Sequence, residues 1–279
     1  MTAAEIPSLP GPALLFCPAD RPDRYAKALA AADAVILDLE DGVGADGKDA
    51  ARAALVASDL DPARVIVRIN ATGTPEHAAD IVALRGTRYR QVMLPKTETR
   101  KQLDALPLHG IWHVVALCET PLGVVNAAEI AAAPGVIAVM WGAEDLIAAM
   151  RGRTSRRPDG GYRDVALHAR SAVLLAARAH GRPAIDAVYV NIPDLEGLAA
   201  EAEDAAASGF TFKGCIHPSQ VAVVRDAFRA DEAQVAWARR VLAAARDAGA
   251  RDKGAVKVDG QMIDAPLIRQ AEAIIASLR

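Results

Sequence analysis

Glu119 and Asp145 carry the sharpest chemistry in this sequence, because each closes a short apolar run and the two runs are consecutive. If both runs are parallel strands, two carboxylates meet at one end of a sheet. Carboxylates held together repel and lose hydration unless one is protonated or a cation lies between them. No histidine pair accompanies them at ligand spacing. An all-oxygen donor set favours Mg²⁺ or Mn²⁺ over Zn²⁺, with substrate and water completing an octahedron. The alternatives are a shared proton or a salt bridge to Arg68 or Lys96.

Arg68 ends the apolar run Val65-Ile66-Val67. A guanidinium there must find an anion and suits a carboxylate or an enolate oxygen; a structural bridge to Glu40 or Asp41 is the alternative. Gly142, Ala143, Glu144 and Asp145 open a helix, so their backbone N–H groups can receive a substrate carboxylate. Arg21, Arg24 and Lys27 form a local basic patch suited to phosphate groups, or else a solvated helix face. His217, before Pro218, reads as a packing or capping residue. The polar stretch Arg151–Arg157 reads as a lid or a subunit contact without chemistry of its own. Cys17, Cys118 and Cys215 lie far apart in apolar runs and read as small buried hydrophobes.

Positioning these groups falls to eight short β-rich runs: Leu14–Pro18, Ala34–Leu39, Val65–Asn70, Gln91–Pro95, His113–Glu119, Val136–Gly142, Pro183–Val188 and Phe210–His217. Most lack in/out alternation, as strands buried on both faces do. Ala-rich helical segments lie between them at Arg24–Ala31, Ala50–Ser58, Pro75–Leu84, Thr99–Ala105, Ala127–Ala132, Val165–His180 and Leu195–Ala207. Unbroken βα alternation in eight units predicts an α/β fold closed as a (β/α)8 TIM barrel. In such a barrel the C-terminal strand ends face the catalytic mouth. Seven of the eight ends carry polar residues capable of chemistry. Residues 1–230 are read as the barrel. Residues 231–279 form a C-terminal helical extension, with a helix over Asp231–Ala248, a hairpin or turn at Ala255–Ile263 around Asp259-Gly260, and a last helix. Such an extension either caps the barrel or reaches a neighbouring subunit.

The 279 residues are 52% hydrophobic and 24% charged, with a net charge of −3. No basic field exists to hold nucleic acid or an anionic membrane, so an anion site must be built locally. The N-terminus lacks the pattern of a signal peptide and no apolar stretch is long enough to span a bilayer. A cytoplasmic enzyme is expected.

The stretches 16–24 (FCPADRPDR), 36–43 (ILDLEDGV), 67–70 (VRIN), 93–96 (MLPK), 119–121 (ETP), 141–146 (WGAEDL) and 214–220 (GCIHPSQ) occur in this order along the chain. In that order they resemble the citrate lyase beta-subunit family, part of the larger aldolase/citrate lyase group. The wording at 17–22 and at 260–264 (GQMID) is most similar to stand-alone actinobacterial-type members and to malyl- and citramalyl-CoA lyases. The resemblance implies a Mg²⁺-dependent carbon–carbon lyase acting on 3-hydroxyacyl-CoA thioesters such as citramalyl-, malyl- or citryl-CoA. The products would be a 2-oxo acid or related oxo acid and acetyl-CoA. It implies a homotrimer or hexamer, Glu119 and Asp145 as metal ligands, and Arg68 as the group that contacts substrate and stabilises the enolate. It also implies that Asp264 of an adjacent subunit is the acid–base group, and it places Arg21, Arg24 and Lys27 near the coenzyme A phosphates. Malate-synthase-like or thioesterase activity at the same site is one alternative. Others are a citrate lyase subunit dependent on an acyl carrier partner, and an aldolase cleaving free hydroxy-oxo acids.

Overall fold

A computed structural model describes residues 9–106, 113–247 and 255–278. It divides into two compact units, Met1–Arg225 and Asp226–Arg279.

The first unit is a closed barrel of eight parallel strands: β1 Ala13–Pro18, β2 Ala34–Asp38, β3 Val65–Arg68, β4 Gln91–Leu94, β5 His113–Cys118, β6 Val136–Trp141, β7 Ala184–Asp186 and β8 Phe212–Cys215. Closure comes from β1 pairing with β8, Leu14 opposite Gly214. Around it lie α1 Pro22–Ala31, α2 Lys48–Ala57, α3 Pro75–Arg85, α4 Arg100–Asp104, α5 Pro121–Val125, α6 Ala127–Ala131, α7 Ala143–Ala149, α8 Asp164–Ala179 and α9 Leu195–Ser208, and α10 Pro218–Phe228 runs across the boundary between the units. The expected strands are all present; β1 ends at Pro18 as expected, and the other seven end one or two residues earlier than the apolar runs suggest. The expected helix at Ala127–Ala132 is preceded by the separate turn α5, because Thr120 caps it and Pro121 starts it. The Thr120 hydroxyl accepts from Gly123 N–H at 3.1 Å.

One buried cluster takes members from every strand, among them Leu14, Ile36, Ile66, Met93, Leu117, Met140, Ile185 and Phe212. Residues from eight strands of a closed sheet can share a cluster only inside it, so this cluster is the barrel interior. Side chains at the intervening positions point outward to the helices. There Asp186, fully buried, accepts from Trp141 Nε1 at 2.7 Å, Arg170 Nε at 2.9 Å and Lys213 Nζ at 2.9 Å. Lys213 also reaches Glu201 Oε1 at 2.9 Å, tying β7 and β8 to α8 and α9.

The second unit holds α11 Glu232–Asp247, the antiparallel hairpin β9 Ala255–Val258 and β10 Gln261–Asp264, and α12 Ala265–Ala276. Ala248, the last residue of the expected first helix, lies outside the described residues. Asp259 and Gly260 both take positive φ, 49° and 84°, as a two-residue turn with the right-handed strand twist requires. Ala238, Val241, Val258, Ile263 and Ala271 form the core of this unit. No helix among the described residues is long and apolar enough to cross a membrane.

Candidate active site

The period of two along each strand builds the mouth of the barrel. Asp38 follows Ile36 by two positions, Arg68 follows Ile66, Glu119 follows Leu117 and Gly142 follows Met140. Each leader belongs to the interior cluster, so each follower faces the same interior one layer nearer the C-terminal ends. These four, with Asp41, Glu144 and Asp145, line a cavity of about 370 Å³. The rest of its lining is largely apolar, including Phe16, Val188 and Ile216.

Glu119 lies deepest in burial, only 2% exposed. Its Oε1 accepts from the backbone N–H of Lys96 at 3.0 Å. Gly142 crowds its other oxygen: a Cβ there would stand 2.8 Å from Oε2. Burial, then the carboxylates of Asp145 and Glu40, push the Glu119 carboxyl up to about 8, against the pull of Arg68 and Lys96. Asp145 stands in the first turn of α7, half-buried, with Lys96 Nζ 3.5 Å from its Oδ1.

Arg68 holds Asp38 with a two-pronged fork, Nε to Oδ1 at 2.8 Å and Nη2 to Oδ2 at 2.6 Å. Its Nη1 stands 3.0 Å from Glu40 Oε2, and its guanidinium lies 5.1 Å from the Phe16 ring centroid. The structural bridge is therefore present, to Asp38 and Glu40 rather than Asp41. Asp38 in turn accepts the backbone N–H groups of Glu40 at 2.9 Å and Gly42 at 2.8 Å. Arg68 thus reaches the cavity fixed in direction, with its remaining N–H groups free of these contacts.

The donor set suits a hard divalent cation. Glu119 and Asp145 supply only oxygen, they share one cavity, and their mutual repulsion is part of what raises the Glu119 carboxyl. Among the described residues no cluster of three or more His, Cys, Asp or Glu side chains is placed to hold a metal. A cation at this mouth would take two protein ligands and complete its shell from substrate and water.

Of the residues singled out in the sequence, Arg68, Glu119, Gly142, Ala143, Glu144 and Asp145 line the one cavity. The Glu144 side chain is engaged, accepting from Ser155 Oγ at 2.7 Å. Arg21, Arg24 and Lys27 are exposed at the start of α1 outside the cavity lining, and Arg21 pairs with Asp23 at 2.9 Å. Asp264 belongs to the second unit. It stands at the N-cap of α12, yet its side chain makes no capping hydrogen bond, which leaves the carboxylate available for other work. His217 is a cap, its Nδ1 accepting from Ser219 N–H at 3.2 Å. All three cysteines are buried. Burial raises their thiols, Cys17 to about 11 and Cys118 and Cys215 to about 12, so none is a thiolate nucleophile.

Within the loop Arg151–Arg157, expected as a lid or a subunit contact, Ser155 and Arg156 are held to the barrel while Arg151–Thr154 and Arg157 are exposed. Ser155 is buried on Glu144, and Arg156 lies over the rings of Tyr162 and Tyr189, 4.1 and 4.7 Å from their centroids. Arg156 also pairs with Glu201 at 2.8 Å. The role of Lys96 was not read from the sequence beyond a possible salt bridge. Its φ of 49° breaks the strand period and turns it towards Glu40, Asp41 and Asp145.

A closed parallel eight-stranded barrel with two carboxylates, Glu119 and Asp145, at its C-terminal mouth is the architecture of the α/β-barrel class. Residues 13–218 match the family model described as HpcH/HpaI aldolase/citrate lyase, and the chain belongs to that family. The citrate lyase subunit beta-like protein of Mycobacterium tuberculosis is 57% identical over 265 residues, covering 95% of this chain and 94% of the relative. The (3S)-malyl-CoA thioesterase of Cereibacter sphaeroides is 35% identical over 260 residues, 90% of this chain and 88% of the relative. The crystal structure of M. tuberculosis CitE in complex with magnesium, acetoacetate and coenzyme A superposes with a TM-score of 0.90 at 56% identity. That match covers 96% of this chain and 97% of the other.

Proposed function

We propose that this chain is a Mg²⁺-dependent carbon–carbon lyase that cleaves a 3-hydroxyacyl-CoA thioester of the malyl-, citramalyl- or citryl-CoA type. The observation that carries the reading is the Glu119–Asp145 pair, brought from consecutive strand ends into one cavity beside Arg68. Its support from relatives is the CitE complex with magnesium, acetoacetate and coenzyme A.

Glu119 and Asp145 would hold Mg²⁺, with Mn²⁺ as the usual substitute for such a donor set. The bound cation would make a substrate hydroxyl more acidic and balance negative charge on its oxygens. The N–H groups of Ala143 and Glu144, at the opening of α7, receive the substrate carboxylate. Arg68, held in direction by Asp38, faces the thioester oxygen that gains charge as the C–C bond breaks to a 2-oxo acid and an enolate. Asp264 of a neighbouring copy donates the proton to the thioester α-carbon in cleavage and removes it in condensation. On this reading residues 1–230 are the catalytic domain and 231–279 pack on the next subunit of a trimer or hexamer. Arg21, Arg24 and Lys27 meet the coenzyme A phosphates.

The test is a panel of 3-hydroxyacyl-CoA substrates with Mg²⁺, following release of 2-oxo acid, on wild type, Glu119→Gln and Asp145→Asn. Wild type turns over a CoA substrate and stops in EDTA, while each variant loses about 10²–10³ in rate or more. Full activity in metal-free enzyme would sink the metal reading. The thioesterase relative motivates a second reading, hydrolysis of an acyl-CoA at the same cavity. Free coenzyme A released without a 2-oxo acid would favour it.

A further inference from the structure

Lys96 grips both members of the carboxylate pair at once. Its backbone N–H donates to Glu119 Oε1 at 3.0 Å, and its ammonium stands 3.5 Å from Asp145 Oδ1. The same ammonium lies 2.6 Å from Glu40 Oε1 and 3.5 Å from Asp41 Oδ2. A residue reaches both sides of the mouth only because φ at Lys96 is 49°, a left-handed value that a non-glycine residue rarely adopts. The backbone bond to Glu119 and the ion pair to Glu40 accompany that conformation, and an outlier at such a point motivates a functional hypothesis.

Resting on the metal reading above, we propose that Lys96 is a positioning residue that shares Asp145 with the divalent cation and thereby tunes how tightly the cation is held. A cation on Glu119 and Asp145 meets the positive charge of the Lys96 ammonium across Asp145. That charge weakens metal binding and moves towards Glu40 and Asp41, which lie on its far side as ready acceptors. The backbone arm does the opposite, aiming Glu119 at the cation whatever the side chain. The two functions of one residue are thus separable: side-chain charge sets affinity, and the backbone sets ligand geometry.

The experiment is Mg²⁺ titration by calorimetry, with Mn²⁺ paramagnetic resonance as a second readout, on wild type, Lys96→Met, Lys96→Gln and Lys96→Arg. Lys96→Met and Lys96→Gln keep the backbone N–H and remove the charge. Both are expected to bind Mg²⁺ about 5- to 20-fold more tightly, the scale of a unit charge about 5–8 Å from a divalent ion under full water screening. Lys96→Arg restores the charge and returns the affinity to within about twofold of wild type. A neutral variant that folds and binds Mg²⁺ equally or more weakly overturns the proposal, because a merely structural lysine would give that result. If Lys96→Met does not fold, Lys96→Gln decides alone. Wild type that binds no Mg²⁺, with Glu119→Gln indistinguishable from it, fails the metal reading itself rather than the part given to Lys96.

Discussion

Gly142 and Glu119 are packed so that no side chain fits between them: a Cβ on Gly142 would stand 2.8 Å from Glu119 Oε2 and 2.9 Å from Glu119 Cβ. The absent side chain is what lets the carboxylate turn into the mouth of the barrel beside Asp145. Neither residue could occupy its place if the other were larger.

Gly142→Ala is therefore expected to displace the Glu119 carboxylate while leaving the barrel folded. Mg²⁺ affinity and turnover should each fall by about 10²–10³, the usual cost of losing one preorganised electrostatic group. Calorimetry and circular dichroism check this together. A variant with unchanged Mg²⁺ affinity would show that the pocket adapts around the added methyl.

Metal binding should release a proton, and the pH at which it does so follows from Glu119. Burial first, and then Asp145 and Glu40, push its carboxyl up from 4.5 to about 8. Below that pH the folded protein carries the proton, and a cation needs the carboxylate, so binding expels about one proton. Apparent Mg²⁺ affinity should rise with pH up to about 8 and then level off. Titrations in two buffers of different ionisation enthalpy at pH 6.5 measure the release, and Glu119→Gln should abolish it. The same shift has a sign for stability. Because the folded value is raised, this group favours the folded state most at low pH. In EDTA that contribution is lost as pH climbs from 4.5 to about 8.

If Asp264 acts on the cavity of a neighbouring copy, inactive Asp264→Ala and inactive Asp145→Ala subunits should complement when mixed. A mixed oligomer contains some sites with both residues intact, so activity should return to a measurable fraction of wild type. Assay after denaturation and co-refolding, with mass photometry to establish mixing, makes the check. Mixed oligomers that stay inactive would assign Asp264 a different task.

The outward-facing ion network predicts a large stability effect far from the cavity. Asp186 and Lys213 are fully buried and 2.9 Å apart. Removing Lys213 takes away one of the two cations on Asp186 and leaves Arg170 in place, so the cost should fall below the about 3–5 kcal/mol of a fully stranded buried charge. Lys213→Met should lower the urea midpoint accordingly. Adding Asp186→Asn should not recover the loss, since it also removes the carboxylate that pairs the buried Arg170.

Much of the architecture was readable in advance because its signals are local. The eight strands, the helices between them and the Asp259-Gly260 hairpin each follow from residues within a few positions of one another. The expected mouth was also legible, since period two carries Ile66 to Arg68 and Leu117 to Glu119 without knowledge of any partner. The choice of partner was not. Arg68 could be read as facing Glu40 or Asp41, and its closest ion pair is Asp38, directly across the β2–β3 register. The contacts of Ser155 and Arg156 were not legible for the same reason, as Glu144, Tyr189 and Glu201 are brought to them from other elements.

The sequence by itself thus determined a (β/α)8 barrel with Arg68, Glu119 and Gly142 at the strand ends and Asp145 just beyond, because side-chain direction in a strand depends only on counting. Tertiary structure decided what those residues are worth chemically. Closure of the sheet buries Glu119 against Gly142 and raises its carboxyl. A left-handed turn at Lys96 crosses to three acids that no spacing rule connects. Charge states and partner choices depend on distances between chain segments far apart in sequence, and folding alone sets those distances.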